Sequence, residues 1–262
     1  MKIAISGATG RMGQSITRLA VQENMTIVGA IVSSQSTNLG KDVGDVAGAG
    51  HLGVALGDDV ASGLLGADVV IDFSRPEGLS RVLAAARRSG IAVVSGTTRL
   101  DAAVEKQLDD AAKTIPVLWA PNTSLGVQVL AELVAEAVKR LGPGFDIEIV
   151  ETHHKGKVDS PSGTAVRLAD AARSAREGLR SVSGREGNVG PRAEDEIGIF
   201  AMRGGDVIGD HSVHLLGLGE RIELTHRATN RDLFARGALR AARFLAGKPA
   251  GRYTMADVLA SR

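Results

Sequence analysis

The feature that most constrains the fold is the rhythm of residues 1–120, where short apolar runs alternate with helical patterns. The first such junction reads Gly7-Ala-Thr-Gly10-Arg-Met-Gly13. Residues 2–6 form an apolar run fit for a buried strand. Residues 11–23 follow with Met12, Ile16, Leu19 and Ala20 at helical spacing. Further strands are expected at 26–32, 68–73, 91–95 and 116–120, and helices at 76–89, with Pro76 near its first turn, and 100–113. Residues 33–50 read as a polar, glycine-containing stretch. Strands that alternate with helices at this spacing imply a parallel sheet covered on both faces and wound right-handed.

From Ser124 the pattern changes. Residues 125–141 read as one long amphipathic helix, 145–153 as a strand, 162–176 as a helix and 179–194 as a polar loop. Three strand-like segments follow at 196–203, 206–216 and 220–227 with no helix between them, which indicates an antiparallel or mixed sheet. Residues 232–246 and 255–260 look helical, and periodicity leaves open whether they return to the first domain. The fold class is therefore α/β: a Rossmann-like parallel-sheet dinucleotide-binding domain (1–123 with 233–262) and a second α+β domain with a mixed or antiparallel sheet (124–232). The 33 glycines and 3% aromatic content suit many tight strand-to-helix turns.

Bulk properties exclude several functions. A net charge of +1 gives no reason to expect nucleic acid or an anionic membrane as partner. With no cysteine there is neither a disulfide framework nor a thiolate metal site. No apolar run approaches the roughly 20 residues of a membrane span, and the start is too weakly apolar for a signal peptide, so a cytoplasmic location is expected.

Glycines between a first strand and its helix permit a tight turn and close backbone approach to a pyrophosphate, with helix N–H groups free for the phosphates. The second strand ends in Ser33-Ser34, where an adenosine-ribose carboxylate often stands. Two hydroxyls in its place remove repulsion against a 2′-phosphate, with Arg11 and Lys41 as charge partners, and favour NADPH while leaving NADH possible. The alternative is that Ser33-Ser34 only opens a polar loop. Ser95-Gly96-Thr97-Thr98 and Ala120-Pro121-Asn122-Thr123-Ser124 fall at strand ends of the same sheet, suited to a nicotinamide carboxamide or to helix capping alone.

The chemistry concentrates in Glu151-Thr-His153-His154-Lys-Gly-Lys157-Val-Asp-Ser-Pro-Ser162-Gly163-Thr164-Ala165. Adjacent histidines and two lysines at a strand end gather proton donors, and Ser162, Gly163 and Thr164 open a helix as a carboxylate or phosphate cradle. Adjacent histidines on a strand point to opposite faces and no third ligand is evident, so no metal is expected.

These residues carry a resemblance to the dihydrodipicolinate (4-hydroxy-tetrahydrodipicolinate) reductase family, through Gly7–Gly13, Val70-Ile-Asp-Phe-Ser74-Arg-Pro76, Gly96-Thr-Thr98, Ala120-Pro-Asn122 and above all 151–165. The resemblance runs nearly end to end. It implies reduction of the cyclic imine formed from hydroxy-tetrahydrodipicolinate by dehydration, with NADH or NADPH, in diaminopimelate and lysine biosynthesis. It further implies His153 as acid/base, Lys157 as proton donor, and His154, Gly163 and Thr164 as contacts of a dicarboxylate substrate. Gly7, Ala8, Thr9, Gly10, Arg11, Met12, Gly96, Thr97, Thr98, Ala120, Pro121, Asn122 and Thr123 match the family's cofactor segments. The second domain is implied to bind substrate and to assemble a homotetramer, with a hinge that closes on substrate. Three positions depart: Arg99-Leu100 stands where the family commonly has Gly-Phe, Gly156 where it has a basic residue, and Ser33 where members that use NADH well carry an acid. Rival readings are an NADP-sensing regulator, which needs no His153–Lys157 pair, and another amino-acid dehydrogenase. Of the latter, the aspartate-semialdehyde type is excluded by the missing thiol.

Overall fold

Strands of the first half are short and enclosed on both faces because successive side chains feed two separate cores. A computed structural model describes residues 1–261. Through the first half run β1 (Lys2–Ser6), α1 (Arg11–Gln22), β2 (Thr26–Ile31), α2 (Val43–Ala47), β3 (Leu56–Gly57), α3 (Val60–Gly63), β4 (Val69–Asp72), α4 (Pro76–Ser89), β5 (Ala92–Ser95), α5 (Ala102–Ala112) and β6 (Pro116–Trp119). Then come α6 (Leu125–Leu141), β7 (Asp146–His153), α7 (Gly163–Ala175), β8 (Arg180–Ser183), β9 (Glu196–Arg203), β10 (Gly209–Leu216) and β11 (Arg221–Ala228). The chain ends with α8 (Asp232–Leu245), β12 (Gly251–Tyr253) and α9 (Met255–Ala260). It divides into two compact units, Met1–Leu125 with Asp232–Arg262, and Gly126–Arg231; Arg262 itself lies outside the described residues.

The first unit is a seven-stranded sheet in the order β12-β6-β5-β4-β1-β2-β3, with every pairing parallel. Ile3, Ile5, Val69, Ile71 and Val94 point to one core, shared with Ile16 and Leu19 of α1 and the alanine-rich face of α8. Ala4, Val70, Val93 and Val117 point to the other, against Leu79, Val82 and Leu83 of α4 and Leu108 of α5. This alternation explains why these strands read as continuous apolar runs. Periodicity left the place of α8 open; it packs beside α1 and completes the first sheet's cover.

The second unit is a five-stranded mixed sheet in the order β11-β10-β7-β9-β8. Its core unites Leu130, Val134 and Val138 of α6 with Ala165, Leu168 and Ala172 of α7, over Ile147, Ile149, Ile197, Ile199, Val213 and Leu215. On the other face Glu148 takes ion pairs from Arg185 and Arg192.

Some local expectations need correction. Part of the 179–194 loop is strand β8, whose Arg-Ser-Val-Ser sequence holds one apolar residue and therefore gives no alternation signal at a half-exposed edge. β12 is a three-residue edge strand, too short to read. Within 33–50 lies α2, held by Asp42, whose carboxylate accepts from the backbone N–H of Gly44, Asp45, Leu52 and Val54. β9 and β10 follow one another in sequence but do not pair; β7 lies between them, parallel to β9 and antiparallel to β10. No helix among the described residues is long and apolar enough to cross a membrane.

Candidate active site

In the first unit, the β1–α1 turn is shaped by what cannot fit there. Gly7 has φ +76°, and a Cβ on it would lie 2.5 Å from the Phe73 carbonyl oxygen. A Cβ on Gly13 would lie 2.3 Å from the Gly7 carbonyl oxygen, so α1 approaches the turn at glycine distance only. The N-cap of α1 is Gly10, which has no side chain to cap the helix, so the first N–H groups are left for an anionic ligand. Beside it opens a cleft of about 680 Å³ whose lining includes Gly7, Thr9, Gly10 and Ser33 together with Gln35, Ser74, Arg75 and Arg81.

Other expected cofactor residues lie around this turn without lining the cleft. Ala8 is buried in the core, Met12 packs against that core, and Arg11 and Ser34 are exposed. Lys41 is exposed and donates to Asn38 Oδ1 at 2.9 Å. The cations that line the cleft with Ser33 are Arg75 and Arg81, beside the acidic Glu77; Arg11 and Lys41 are not in that lining. Sequence reasoning passed over them; the signal available was that Ser74-Arg75 follows β4, neighbour of β1 in the sheet.

The segments after β5 and β6 are held by side-chain bonds. Asp72, fully buried, accepts from Ser74 Oγ (2.5 Å), Ser95 Oγ (2.9 Å) and Thr97 Oγ1 (2.7 Å). Gly96 backs onto the Phe73 ring, where a Cβ would lie 2.2 Å from Cε1. Thr98 is exposed. Arg99 is also exposed and adopts φ +59°, the left-handed conformation that glycine favours and that costs other residues about 1–2 kcal/mol. Ala120 is buried and Pro121 exposed. Asn122 Oδ1 accepts from Ser124 N at 2.9 Å, and Thr123 Oγ1 donates to Phe234 O at 2.7 Å, tying the end of β6 to α8.

In the second unit the 151–165 segment runs from the inward face of β7 to the start of α7. Glu151 is completely buried and His153 is 8% exposed. His153 Nδ1 makes a short contact with Glu151 Oε2. Burial pushes the His153 imidazole below its ordinary pKa; Glu151 opposes this, and Lys157 and Arg203 reinforce it. For Glu151, burial alone would raise the carboxyl, but the Arg203, His153 and Ser162 bonds outweigh it and hold the group below its usual range. Lys157 Nζ bonds both oxygens of Asp159 at 2.8 and 2.7 Å. His154 lies just past the strand, half-buried, its carbonyl accepting from Lys157 N. Ser162 caps α7, its Oγ accepting from Ala165 N at 3.1 Å, while Gly163 is exposed and Thr164 half-buried in the first turn.

Two residues of this site went unseen in the sequence because they come from other strands. Arg203 of β9 forks onto Glu151, and His211 of β10 meets Ser162 Oγ through Nε2 at 3.0 Å and the His153 ring edge-on at 5.1 Å. Burial lowers the His211 pKa to about 4, so the ring is neutral. Ligand-type atoms of Glu151, His153 and His211 lie within 4.8 Å of one another, a trio that reading along β7 did not reveal. Both oxygens of Glu151 already face the Arg203 guanidinium, which would repel a dication there, so the trio has the character of a hydrogen-bonded charge network.

Residues 1–123 match the family model described as dihydrodipicolinate reductase, N-terminus, and residues 126–259 the one described as its C-terminus. The 4-hydroxy-tetrahydrodipicolinate reductase of Anaeromyxobacter dehalogenans is 48% identical over 100% of this chain and 98% of its own length. That of Nitrosomonas eutropha is 46% identical over 100% and 99%. A solved dipicolinate-bound dihydrodipicolinate reductase from Paenisporosarcina sp. TG-14 shares the fold, with TM-score 0.79 and 22% identity over 98% of both chains. The chain thus belongs to the dihydrodipicolinate reductase family.

Proposed function

We propose that this chain reduces 4-hydroxy-tetrahydrodipicolinate, through its dehydrated cyclic imine, to tetrahydrodipicolinate, and that its two units divide the labour. The dinucleotide-binding domain expected from the sequence (1–123 with 233–262) binds the cofactor; the second domain (124–232) holds the substrate and assembles a cytoplasmic homotetramer. The glycine-only approach at Gly7 and Gly13, the uncapped start of α1 and the adjoining cleft fit a dinucleotide pyrophosphate. Gly7, Thr9 and Gly10 would hold it, and Gly96–Thr98 and Ala120–Thr123 would bound the nicotinamide. Bound NAD(P)H supplies the hydride. NADPH is the preferred form, because the Ser33 hydroxyl shares its cleft with Arg75 and Arg81, two guanidinium groups against the one carboxylate of Glu77, where a 2′-phosphate would lie.

The observation that carries the catalytic reading is the half-enclosed proton machinery at the end of β7. His153 sits in a buried carboxylate network, and Lys157 Nζ is held by both oxygens of Asp159 a few residues away. His153 acts as acid/base and Lys157 as proton donor to the imine nitrogen. His154 with Ser162, Gly163 and Thr164 at the start of α7 holds the dicarboxylate. A coupled assay with aspartate semialdehyde, pyruvate and the preceding synthase, followed by NADPH absorbance, tests the reading. Wild type should consume NADPH, while His153→Ala and Lys157→Ala should each lose about 100-fold or more in kcat with NADPH affinity kept. Turnover unchanged in both variants would refute the assignment.

A further inference from the structure

Glu151 has no role in the chemistry set out above, yet it is completely buried and its two oxygens take four donors. Oε1 accepts from Ser162 N and from Arg203 Nη2, both at 3.0 Å; Oε2 accepts from Arg203 Nη1 at 3.0 Å and meets His153 Nδ1. Arg203 is anchored in turn, donating to the carbonyls of Met202 and Asp159, each at 2.7 Å. An ionised carboxylate only accepts hydrogen bonds, so the His153 proton resides on Nδ1 and Nε2 is the nitrogen left to exchange. Nε2 faces Gly209, where a Cβ would stand 3.0 Å from it. A residue with a side chain at 209 would crowd that nitrogen.

We propose that Glu151 and Arg203 are positioning residues for His153. The carboxylate sets the tautomer and aims Nε2 at the opening left by Gly209; the guanidinium fixes the carboxylate and offsets its charge. This rests on the reading of His153 as the acid/base. The groups that face the ring are Glu151 on its own strand, Arg203 from β9, His211 from β10, and Lys157 with its partner Asp159 from the following loop. His226 of β11 is paired with His211 in register. Glu151 and Arg203 therefore act on His153 with opposite sign, which a merely structural role would not do.

The test uses the full chain, with histidine-labelled NMR titration of His153 and the pH dependence of kcat/KM. Glu151→Gln should move the His153 titration to lower pH and Arg203→Gln to higher pH, each by about one unit or more. Glu151→Gln should lower kcat by about 100-fold, with NADPH affinity unchanged. Arg203→Lys, which keeps the charge, should titrate close to wild type. Shifts in one direction for both Gln variants, or none, would overturn the proposal. If either fails to fold, Gly209→Ala and Arg203→Lys decide. Gly209→Ala should keep the His153 tautomer and lose about tenfold in kcat, and full activity there or a displaced Arg203→Lys titration would refute it. Should His153→Asn keep its turnover, the acid/base reading itself falls. Should His153→Asn be inactive while the Gln variants fail to split, only the positioning role falls.

Discussion

The two sites are built from opposite materials. At the β1–α1 turn the work is done by missing side chains: Gly7 and Gly13 bring backbone to within contact distance. At the end of β7 the work is done by a network of ionisable side chains around the buried Glu151, with Glu151, His153, Arg203 and His211 drawn from three strands. A site of the first kind is broken by volume, and one of the second kind by a change in charge or proton count.

The largest effect that would sharpen this contrast is acid sensitivity of the second unit. His211 has a folded pKa of about 4 against an ordinary 6.5, so the unfolded chain binds the proton first. Its stability contribution is present above pH 6.5 and is lost as pH falls towards 4, worth about 3 kcal/mol. The lowered His153 and His226 act with the same sign. Chemical denaturation across that range should show the slope, and His211→Asn should flatten it; an unaltered slope would contradict a neutral, buried ring.

Gly13→Ala should follow, because the new Cβ meets only backbone: Gly7 O at 2.3 Å and Ala8 Cα at 2.6 Å. Overpacking of this kind costs about 2 kcal/mol, visible as a lower Tm and weaker NADPH binding with little pH dependence. Normal NADPH affinity in that variant would break the comparison. The smallest effect is expected at the cleft's one charge-dependent edge. Arg81→Ala should reduce kcat/KM for NADPH by about tenfold, about 1.4 kcal/mol, and leave NADH nearly unaffected. Equal losses with both cofactors would remove the 2′-phosphate role.

Legibility in the sequence followed the same division. Pro76–Ser89 and Leu125–Leu141 coincide with the helices read from periodicity, since an amphipathic stripe is written locally. Ser162 as a cap was legible because its partner, Ala165, lies three residues on. Arg99 stood out in the sequence only as a replacement for the glycine common in the family, and the backbone revealed the left-handed conformation that such a glycine would favour. Arg75 and Arg81 were missed because they share a cleft with Ser33 only once β4 lies beside β1.

By itself the sequence determined the alternation of the first half, the glycine turn, and the clustering of His153, Lys157 and the α7 start within fifteen residues, because each depends on neighbours along the chain. Tertiary structure alone decided that β7 lies between β10 and β9. That register carries Arg203 and His211 to Glu151, His153 and Ser162 across separations of about fifty residues. Strand pairing is set by which faces bury together over the whole sheet, and no local pattern records it.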